Sequence, residues 1–448
     1  MRIFLFLSLI LSCFLVNSTS LTKTVVNKNK NRKIETLKFS PSSKNENEKY
    51  SITDASPKKD TEFLSSVALV AGTTVGAGIL ALPDVSKSVG FVYSSGVIFS
   101  SWVYMLLTSL LIAEVNLNLV KQSKSGNEQG ILAMTQNVLG NKAAIASGAL
   151  YCFIHYALLT AYISEGGGIL NSLFNLNNAK FGPLIFITIF GGIMASEKKN
   201  LIESVNFIFT SIVLLSFVLL VFSGATSINL ENLIHLPTFN TKNIINLVPV
   251  TLVSLVFHNI VPNIVASAQY DRKKIVKTLV VGSAIPMAMF IVWNGVILGM
   301  GSSIDSENSS IIKLLLNLFS EAAIVTSFIG FVIGLRSFFV DLLKEKNDVI
   351  SNASEDKQVT QSKTPSLLYY LLILVVPTIL ALFNPDIFVP ALDYAGKFGI
   401  SLLFCAIPAV LALKSRNIAG DSYVYLVQDK ANIIALTVLV LAIATVFI

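Results

Sequence analysis

Charge is what this sequence has least of: 13% of its 448 residues are Asp, Glu, Lys or Arg, against roughly 25% in an average soluble domain. So few charges cannot clothe a water-facing surface of this size, which excludes an ordinary soluble globular protein. Histidine and cysteine are scarce too, at three each. Cys13, Cys152 and Cys405 lie in apolar segments without paired spacing. That excludes a disulfide framework and a cysteine metal site and leaves the redox compartment open. The apolar segments hold no clustered His and acidic ligands and no paired nucleophile and base, which excludes a membrane hydrolase. The chain reads as a non-enzyme, without metal or cofactor.

Apolar residues are abundant instead. They make up 53% of the chain, mean hydropathy is +0.70, and long apolar runs recur from Phe63 to the last residue. A bilayer core about 30 Å thick needs about 20 helical residues per crossing. On that measure the sequence predicts an all-α polytopic membrane protein. Its eleven spans are 63–86, 91–120, 143–174, 181–196, 201–223, 247–270, 275–301, 321–343, 365–383, 388–413 and 431–448.

The net charge of +7 follows from topology rather than from nucleic-acid binding, because Lys and Arg gather in loops that are not translocated. With the N-terminal side inside, Lys198 and Lys199, the Arg272, Lys273, Lys274 and Lys277 group, and Lys344 and Lys346 fall on the inner face. The outer loops keep only Lys87, Lys180, Lys242, Lys313 and Lys397. An inside N-terminus and an outside C-terminus follow. Arg336 falls within a span, close enough to its inner end to snorkel.

The first sixty residues are of another kind. MRIFLFLSLILSCFLVNSTS carries one early Arg, an apolar core over 3–16, and small residues with Val16 and Ser18 set for cleavage. It reads as a signal peptide, 1–18, too short to span stably; the alternative is a twelfth, uncleaved helix. The segment 19–61 opens, over Thr19 to Lys44, with seven basic residues against one acid, Glu35, amid Ser, Thr and Asn. It resembles an organellar transit peptide. A signal followed by such a segment resembles the two-part leader of proteins sent to plastids bounded by extra membranes. The other reading is a disordered basic tail on a protein of an endomembrane or the plasma membrane. Residues 62–448 form the membrane-embedded domain.

Two spans carry residues that a plain membrane helix would avoid. LVAGTTVGAGILALP (69–83) puts Gly72, Gly76 and Gly78 within seven residues, although each glycine in a helix costs roughly 1 kcal/mol relative to alanine. Small-residue helix packing is one explanation, since Gly72 and Gly76 are four apart on one face. The sixth span, LVPVTLVSLVFHNIVPNIVASAQ, arbitrates: it places His258, Asn259, Pro262 and Asn263 in an apolar setting. Pro262 removes a backbone donor, and the asparagines can satisfy the groups that are freed. Interruptions near 72–78 and 257–263 fall at equivalent places five spans apart, which points to an inverted-repeat transporter with its site near the midplane. Half-helix N-termini then offer N–H groups to a carboxylate, and broken C-terminal ends offer carbonyls to an ammonium or a cation. A zwitterionic amino acid suits both. A phosphate loop is excluded, because no Lys-Ser or Lys-Thr follows the glycines and no strand precedes them.

GTTVGAGILALP, FHNIVPNI followed by QYDRKKI, and WNGVILG from Trp293 to Gly299 together resemble the aromatic amino acid permeases. These are the tyrosine- and tryptophan-specific branch of the amino acid/polyamine/organocation superfamily, and the match spans about residues 62–445. The resemblance implies the leucine-transporter fold: an inverted 5+5 repeat with helices 1 and 6 broken, plus an eleventh helix. It implies proton-driven import of tyrosine, tryptophan or phenylalanine. Carried onto this sequence, Thr73, Thr74, Val75, Gly76 and Gly78 would hold the substrate carboxylate, and Phe257, His258 and Asn259 would line the opposite wall. TAYISEGGGIL in span three, with Glu165 and three glycines, departs from the family pattern.

Ionisable groups inside spans are expensive and default to functional candidates. Glu114 on span two either carries a coupling proton or pairs with Arg336 or an inner-loop lysine. His258 titrates near neutrality and suits proton sensing or a hydrogen-bonded structural role; His155 reads as packed. Tyr162 can stack on an aromatic substrate or merely pack. Glu165 lies near the outer mouth, and Glu203 is interfacial. Thr326 and Ser327 on span eight can coordinate a cation; without a clear carboxylate beside them the sequence does not choose between Na⁺ and H⁺, and the resemblance favours H⁺. The reading is a secondary active transporter, embedded in a lipid bilayer, that alternates access around an aromatic amino acid. Its rivals are a same-fold carrier of another neutral amino acid and, with less support, an ion channel.

Overall fold

The first apolar run does not stay helical from end to end. In the computed structural model, α1 (Lys59–Thr74) and α2 (Gly78–Ser86) are separated by Val75, Gly76 and Ala77 and bent by 54°. The structure describes residues 59–122, 129–301, 310–351, 366–419, 423–426 and 431–447. The expected leader, 1–18, most of the segment 19–61 and Cys13 lie outside the described residues. Residues 65–448 group into one compact unit.

Among the described residues the regular structure is all helical, joined by turns and short irregular stretches. After α2 come α3 (Phe91–Gln122), the short α4 (Ile131–Leu139), α5 (Asn141–Leu173), α6 (Phe181–Ala195) and α7 (Lys199–Ala225). Then follow α8 (Leu230–Ile234), α9 (Thr241–Ser254), α10 (Val261–Ser267), α11 (Arg272–Met300), α12 (Ser310–Ser351), α13 (Ser366–Phe383), α14 (Phe388–Ile418) and α15 (Ala431–Val446). Within α6 and α14 the chain widens into π-helix over Ile187–Gly191 and Ala395–Ala406.

Six of the described helices, and α9 with α10 taken together as a seventh, are long and apolar enough to cross a bilayer, or eight if the bent α1–α2 pair is also one span. Three shorter apolar helices, Phe181–Ala195, Leu368–Phe383 and Ala431–Val446, lie where the sequence places spans four, nine and eleven. α4 was not expected. It forms in a stretch read as a loop, because Ile131, Met134, Thr135 and Val138 bury one face. Gly140, at φ 91°, then lets the chain turn straight into α5.

Burial separates inner helices from outer ones. The most apolar stretch of α14 is 67% buried, whereas that of α7 is only 17% buried. The face of α7 turned away from the protein carries Phe207, Leu215 and Phe222, all exposed. In water such a stripe would be a liability; against lipid it needs no partner. α5 and α12 run antiparallel in a register that can be followed along their length. Tyr151 meets Phe338 at 5.2 Å between ring centroids, His155 meets Phe331 at 4.9 Å, Tyr162 meets Phe331 at 5.7 Å, and Gly166 faces Ile324.

The second interruption is also present, in a different form from that expected. α9 ends at Ser254, residues 255–257 leave helical geometry, His258–Ile260 make one 3₁₀ turn, and α10 begins at Val261. Pro262 sits in the first turn of α10. There the missing N–H is no loss, so proline starts a new helix rather than kinking an old one. Asn259 and Asn263 are exposed and do not cap the freed backbone as expected.

Candidate functional site

The two breaks touch. Ser254 Oγ, at the last residue of α9, lies 2.8 Å from the Gly78 carbonyl and 2.9 Å from its own Val250 carbonyl. Only hydrogen at Gly78 permits this approach: a Cβ there would stand 2.8 Å from Ser254 Cα. Gly76 serves a second contact, since a Cβ would stand 2.6 Å from Ser327 Oγ on α12. Ser327 Oγ accepts the Ala77 N–H at 2.9 Å, and the Tyr162 hydroxyl of α5 lies beside it. Gly72 has nothing within 4 Å of a would-be Cβ and is exposed. The Gly72/Gly76 pair is therefore not a helix-packing stripe, and the glycines serve the break instead.

The backbone groups at the first break fall into two sets. Thr73 Oγ1 and Thr74 Oγ1 donate back to the Leu69 and Val70 carbonyls at 2.7 and 2.8 Å. The last turn of α1 is thus partly satisfied by its own side chains. Val75 N–H bonds to Ala71, and the first turn of α2 is tightened by Ile79 N–H to Gly76 and Leu80 N–H to Ala77. The N–H groups of Gly76 and Gly78 have no partner among the described residues. Orphan donors at a helix start, with the positive end of its dipole, favour negative charge nearby.

The second break supplies an aromatic and imidazole wall. Phe257 and His258 are each 1% exposed. Thr108 on α3 lies 2.6 Å from His258 Nε2 and directs its hydroxyl to the Met105 carbonyl at 2.8 Å. The other ring nitrogen, Nδ1, is buried without a partner. Phe257 and Phe404 flank the ring at 5.2 and 5.4 Å.

Of the residues the sequence singled out, the structure brings Val75, Gly76, Gly78, Tyr162 and Ser327 together around the first break. Phe257 and His258 stand at the second, tied to the first through Ser254 and Gly78. Thr73 and Thr74 flank the first break with their hydroxyls turned to their own helix. Asn259 is exposed, apart from this wall. Thr326 donates to the Ala323 carbonyl of its own helix at 3.0 Å, so only Ser327 of that pair reaches the break. Ser254 and Thr108 were missed; as small hydroxyl residues in apolar helices they carry no signal of their own in sequence.

Glu114 lies elsewhere. Its Oε1 accepts from Arg416 Nε at 2.8 Å and Nη2 at 2.5 Å, and its Oε2 accepts from Leu426 N–H at 2.9 Å. Both side chains are sealed, at 0% and 1% exposure. Asn118, one turn on, exchanges two 2.9 Å bonds with Val424. The expected partner Arg336 pairs instead with Glu197 and lies over the Tyr370 ring. A groove of about 330 Å³ against α6, lined by Leu176, Phe181, Leu184, Ile185, Thr188 and Ile189, is apolar and shares no residue with the breaks. Among the described residues no cluster of His, Cys, Asp and Glu is arranged to hold a metal.

The chain is similar to known transport proteins over nearly the whole described region. A family model described as the tryptophan/tyrosine permease family matches residues 59–448. Tyrosine-specific transport system 1 of Haemophilus influenzae is 26% identical over 378 residues, covering 79% of this chain and 88% of the relative. The tryptophan-specific transport protein of the same organism is 26% identical, covering 80% and 89%. The low affinity tryptophan permease of Escherichia coli O157:H7 is 27% identical, covering 82% and 90%.

Proposed function

We propose, starting from the fact that the chain belongs to the tryptophan/tyrosine permease family, a family of transporters and not of enzymes, that it carries tyrosine or tryptophan across a membrane as a proton-coupled symporter. The observation that carries the reading is the break between α1 and α2. Its unpartnered Gly76 and Gly78 N–H groups are the natural seat of the substrate carboxylate. Thr73, Thr74 and Val75 complete that turn, and Tyr162, Phe257 and His258 supply aromatic surface and a hydrogen-bond acceptor for the side chain. An indole N–H or a phenol O–H can donate to His258 Nδ1; a phenylalanine ring cannot. Sites that hydrogen-bond a substrate group reject analogues lacking it far better than apolar pockets reject an extra one.

In this reading the three short apolar helices are spans as well, which brings the total to eleven, in two inverted sets of five plus α15. The lysine-rich loops and the N-terminal side face the cytoplasm-equivalent compartment. Alternating access is rocking of the elements that bear the breaks against those that bear Tyr162 and Ser327. The leader, 1–18 followed by 19–61, directs the protein to a plastid membrane; a fluorescent fusion of those residues tests that address.

The test of function is uptake of radiolabelled tryptophan by purified protein in liposomes under imposed H⁺ or Na⁺ gradients. Saturable uptake, competed by tyrosine and raised by an inward proton gradient, is expected. Uptake competed equally by leucine moves the assignment to a general neutral amino acid carrier, and non-saturable flux to a channel.

A further inference from the structure

Glu321 is the buried acid for which neither the fold nor the substrate site provides a use. It lies on α12, ten residues inside the span that starts at Ile311. Both of its carboxylate oxygens are out of reach of solvent, and neither has a hydrogen-bond partner. An ionised carboxylate in that state is strongly disfavoured, so the group is stable only when a proton or a cationic guest accompanies it.

Among the described residues no fixed cation fills that role. α12 packs against α5, α7 and α13 and, through Phe319 and Trp293 at 4.7 Å, against α11. On α7 the charged residues are Lys199 and Glu203, both in its first turns; on α11 they are Arg272, Lys273, Lys274 and Lys277, at its far end; α13 has none. On α12 itself Lys313 is exposed, two turns away, Arg336 is engaged by Glu197, and Asp341, Lys344, Glu345, Lys346 and Asp348 follow at the opposite end, more than about five turns along. On α5, Lys142 is in the first turn, and the charged residue within electrostatic reach of Glu321 is another acid, Glu165. Glu165 is half-buried and in turn lies within reach of Asp84 on α2, which is exposed and paired with Lys87.

The glycines after Glu165 explain how the two acids come close. A Cβ at Gly166 would stand 2.5 Å from the Phe186 ring and 3.2 Å from Ile324 Cγ2, one turn from Glu321. Gly166 therefore lets α5 seat against α6 and α12 at this level, which gives the TAYISEGGGIL departure a physical role. Glu321 is also six residues from Ser327, about 9 Å along the helix by the usual rise. Glu321 thus shares α12 with the hydroxyl that holds the first break.

We propose that Glu321 is the proton-binding group of the transport cycle. Its carboxylate takes one H⁺ from water by way of Glu165, crosses as the neutral acid with substrate bound, and returns that H⁺ to water on the other side. This deepens the proton-coupled reading above and rests on it.

The test compares wild type, Glu321→Gln, Glu321→Asp and Glu165→Gln in liposomes, using radiolabelled tryptophan. Two modes are measured: accumulation under an inward pH gradient, and exchange against internal tryptophan with no gradient. One unit of pH supports about tenfold accumulation by a one-proton symporter. Wild type is expected to approach that ratio. Glu321→Gln is expected to exchange at near wild-type rate while accumulation falls to a ratio of one and co-transported H⁺, followed with a trapped pH dye, disappears. Glu321→Asp should retain coupling, and Glu165→Gln should couple more slowly. If Glu321→Gln accumulates as wild type does, or loses exchange and accumulation together while Glu321→Asp is equally dead, the assignment is overturned. If wild type itself ignores the pH gradient, the proton-coupled reading fails first and takes this inference with it.

Discussion

Adding one methyl group at Gly78 should separate the two broken helices. The new Cβ would stand 2.8 Å from Ser254 Cα, 2.8 Å from Ser254 Oγ and 3.2 Å from Ser254 Cβ. A side-chain oxygen can rotate away, but a backbone Cα cannot, so α2 must move off α9. Overpacking of this kind costs about 1–3 kcal/mol. The same shift lengthens the 2.8 Å bond from Ser254 Oγ to the Gly78 carbonyl, which adds about 0.5–1.5 kcal/mol. Alanine's advantage over glycine, about 1 kcal/mol in a helix interior, is smaller in a first turn and does not offset the sum. Gly78→Ala should therefore be destabilised by roughly 1–3 kcal/mol net and should lose tryptophan uptake.

Gly72→Ala is the internal control. It sits in α1 with nothing within 4 Å of the new atom, so only the propensity gain of about 1 kcal/mol remains, and its melting temperature should hold or rise. Gly76→Ala separates side chain from backbone. Its clash is with Ser327 Oγ alone at 2.6 Å, the next atom being Ser327 Cβ at 3.9 Å. Adding Ser327→Ala should restore packing, whereas adding Ser254→Gly to Gly78→Ala should not. The assay is thermal unfolding of detergent-purified protein followed by fluorescence, with uptake in liposomes alongside. A Gly78→Ala protein as stable and active as Gly72→Ala, or one rescued by Ser254→Gly, would refute the account of the break.

Other outcomes follow from the same geometry. Glu114→Gln should cost about 3–5 kcal/mol, because it strands Arg416 in a sealed site; Glu114→Gln with Arg416→Met should recover much of that in thermal unfolding. Thr108→Val keeps the shape of α3 but removes the hydroxyl 2.6 Å from His258 Nε2, a loss of about 0.5–1.5 kcal/mol for one hydrogen bond. It should weaken tryptophan uptake more than a valine on the lipid face of α7. Arg336→Gln breaks an ion pair whose side chains are each 35% exposed and should change stability by less than about 1 kcal/mol.

The helices were legible because bilayer thickness writes its length directly into apolar runs, and the predicted spans lie on the observed helices with shifts mainly at their ends. The first break was legible for a related reason: three glycines in an apolar helix are expensive enough to need a cause. What they contact was not, since Gly76 meets a residue 251 positions away and Gly78 one 176 positions away, and no local pattern encodes that. The second break was visible through Pro262 and misread in detail, because a proline that starts a helix and one that kinks a helix look alike in sequence. α4 escaped notice because nine residues with one buried face resemble an irregular loop when read against twenty-residue runs.

The two acids show why position alone ranks intramembrane charges poorly. From sequence, Glu114 stood out inside a long apolar span, while Glu321 passed as a boundary residue of span eight. The contacts reverse that order. Glu114 has Arg416, Leu426 N–H and a docked segment around it, so its charge is compensated in place and moving a proton on or off would break a network. Glu321 has buried oxygens and no donor, so its charge must be compensated by something that comes and goes. A group that works by gaining and losing a proton in each cycle has to leave that role unfilled by the protein. Of the two carboxyls, only Glu321 meets that requirement.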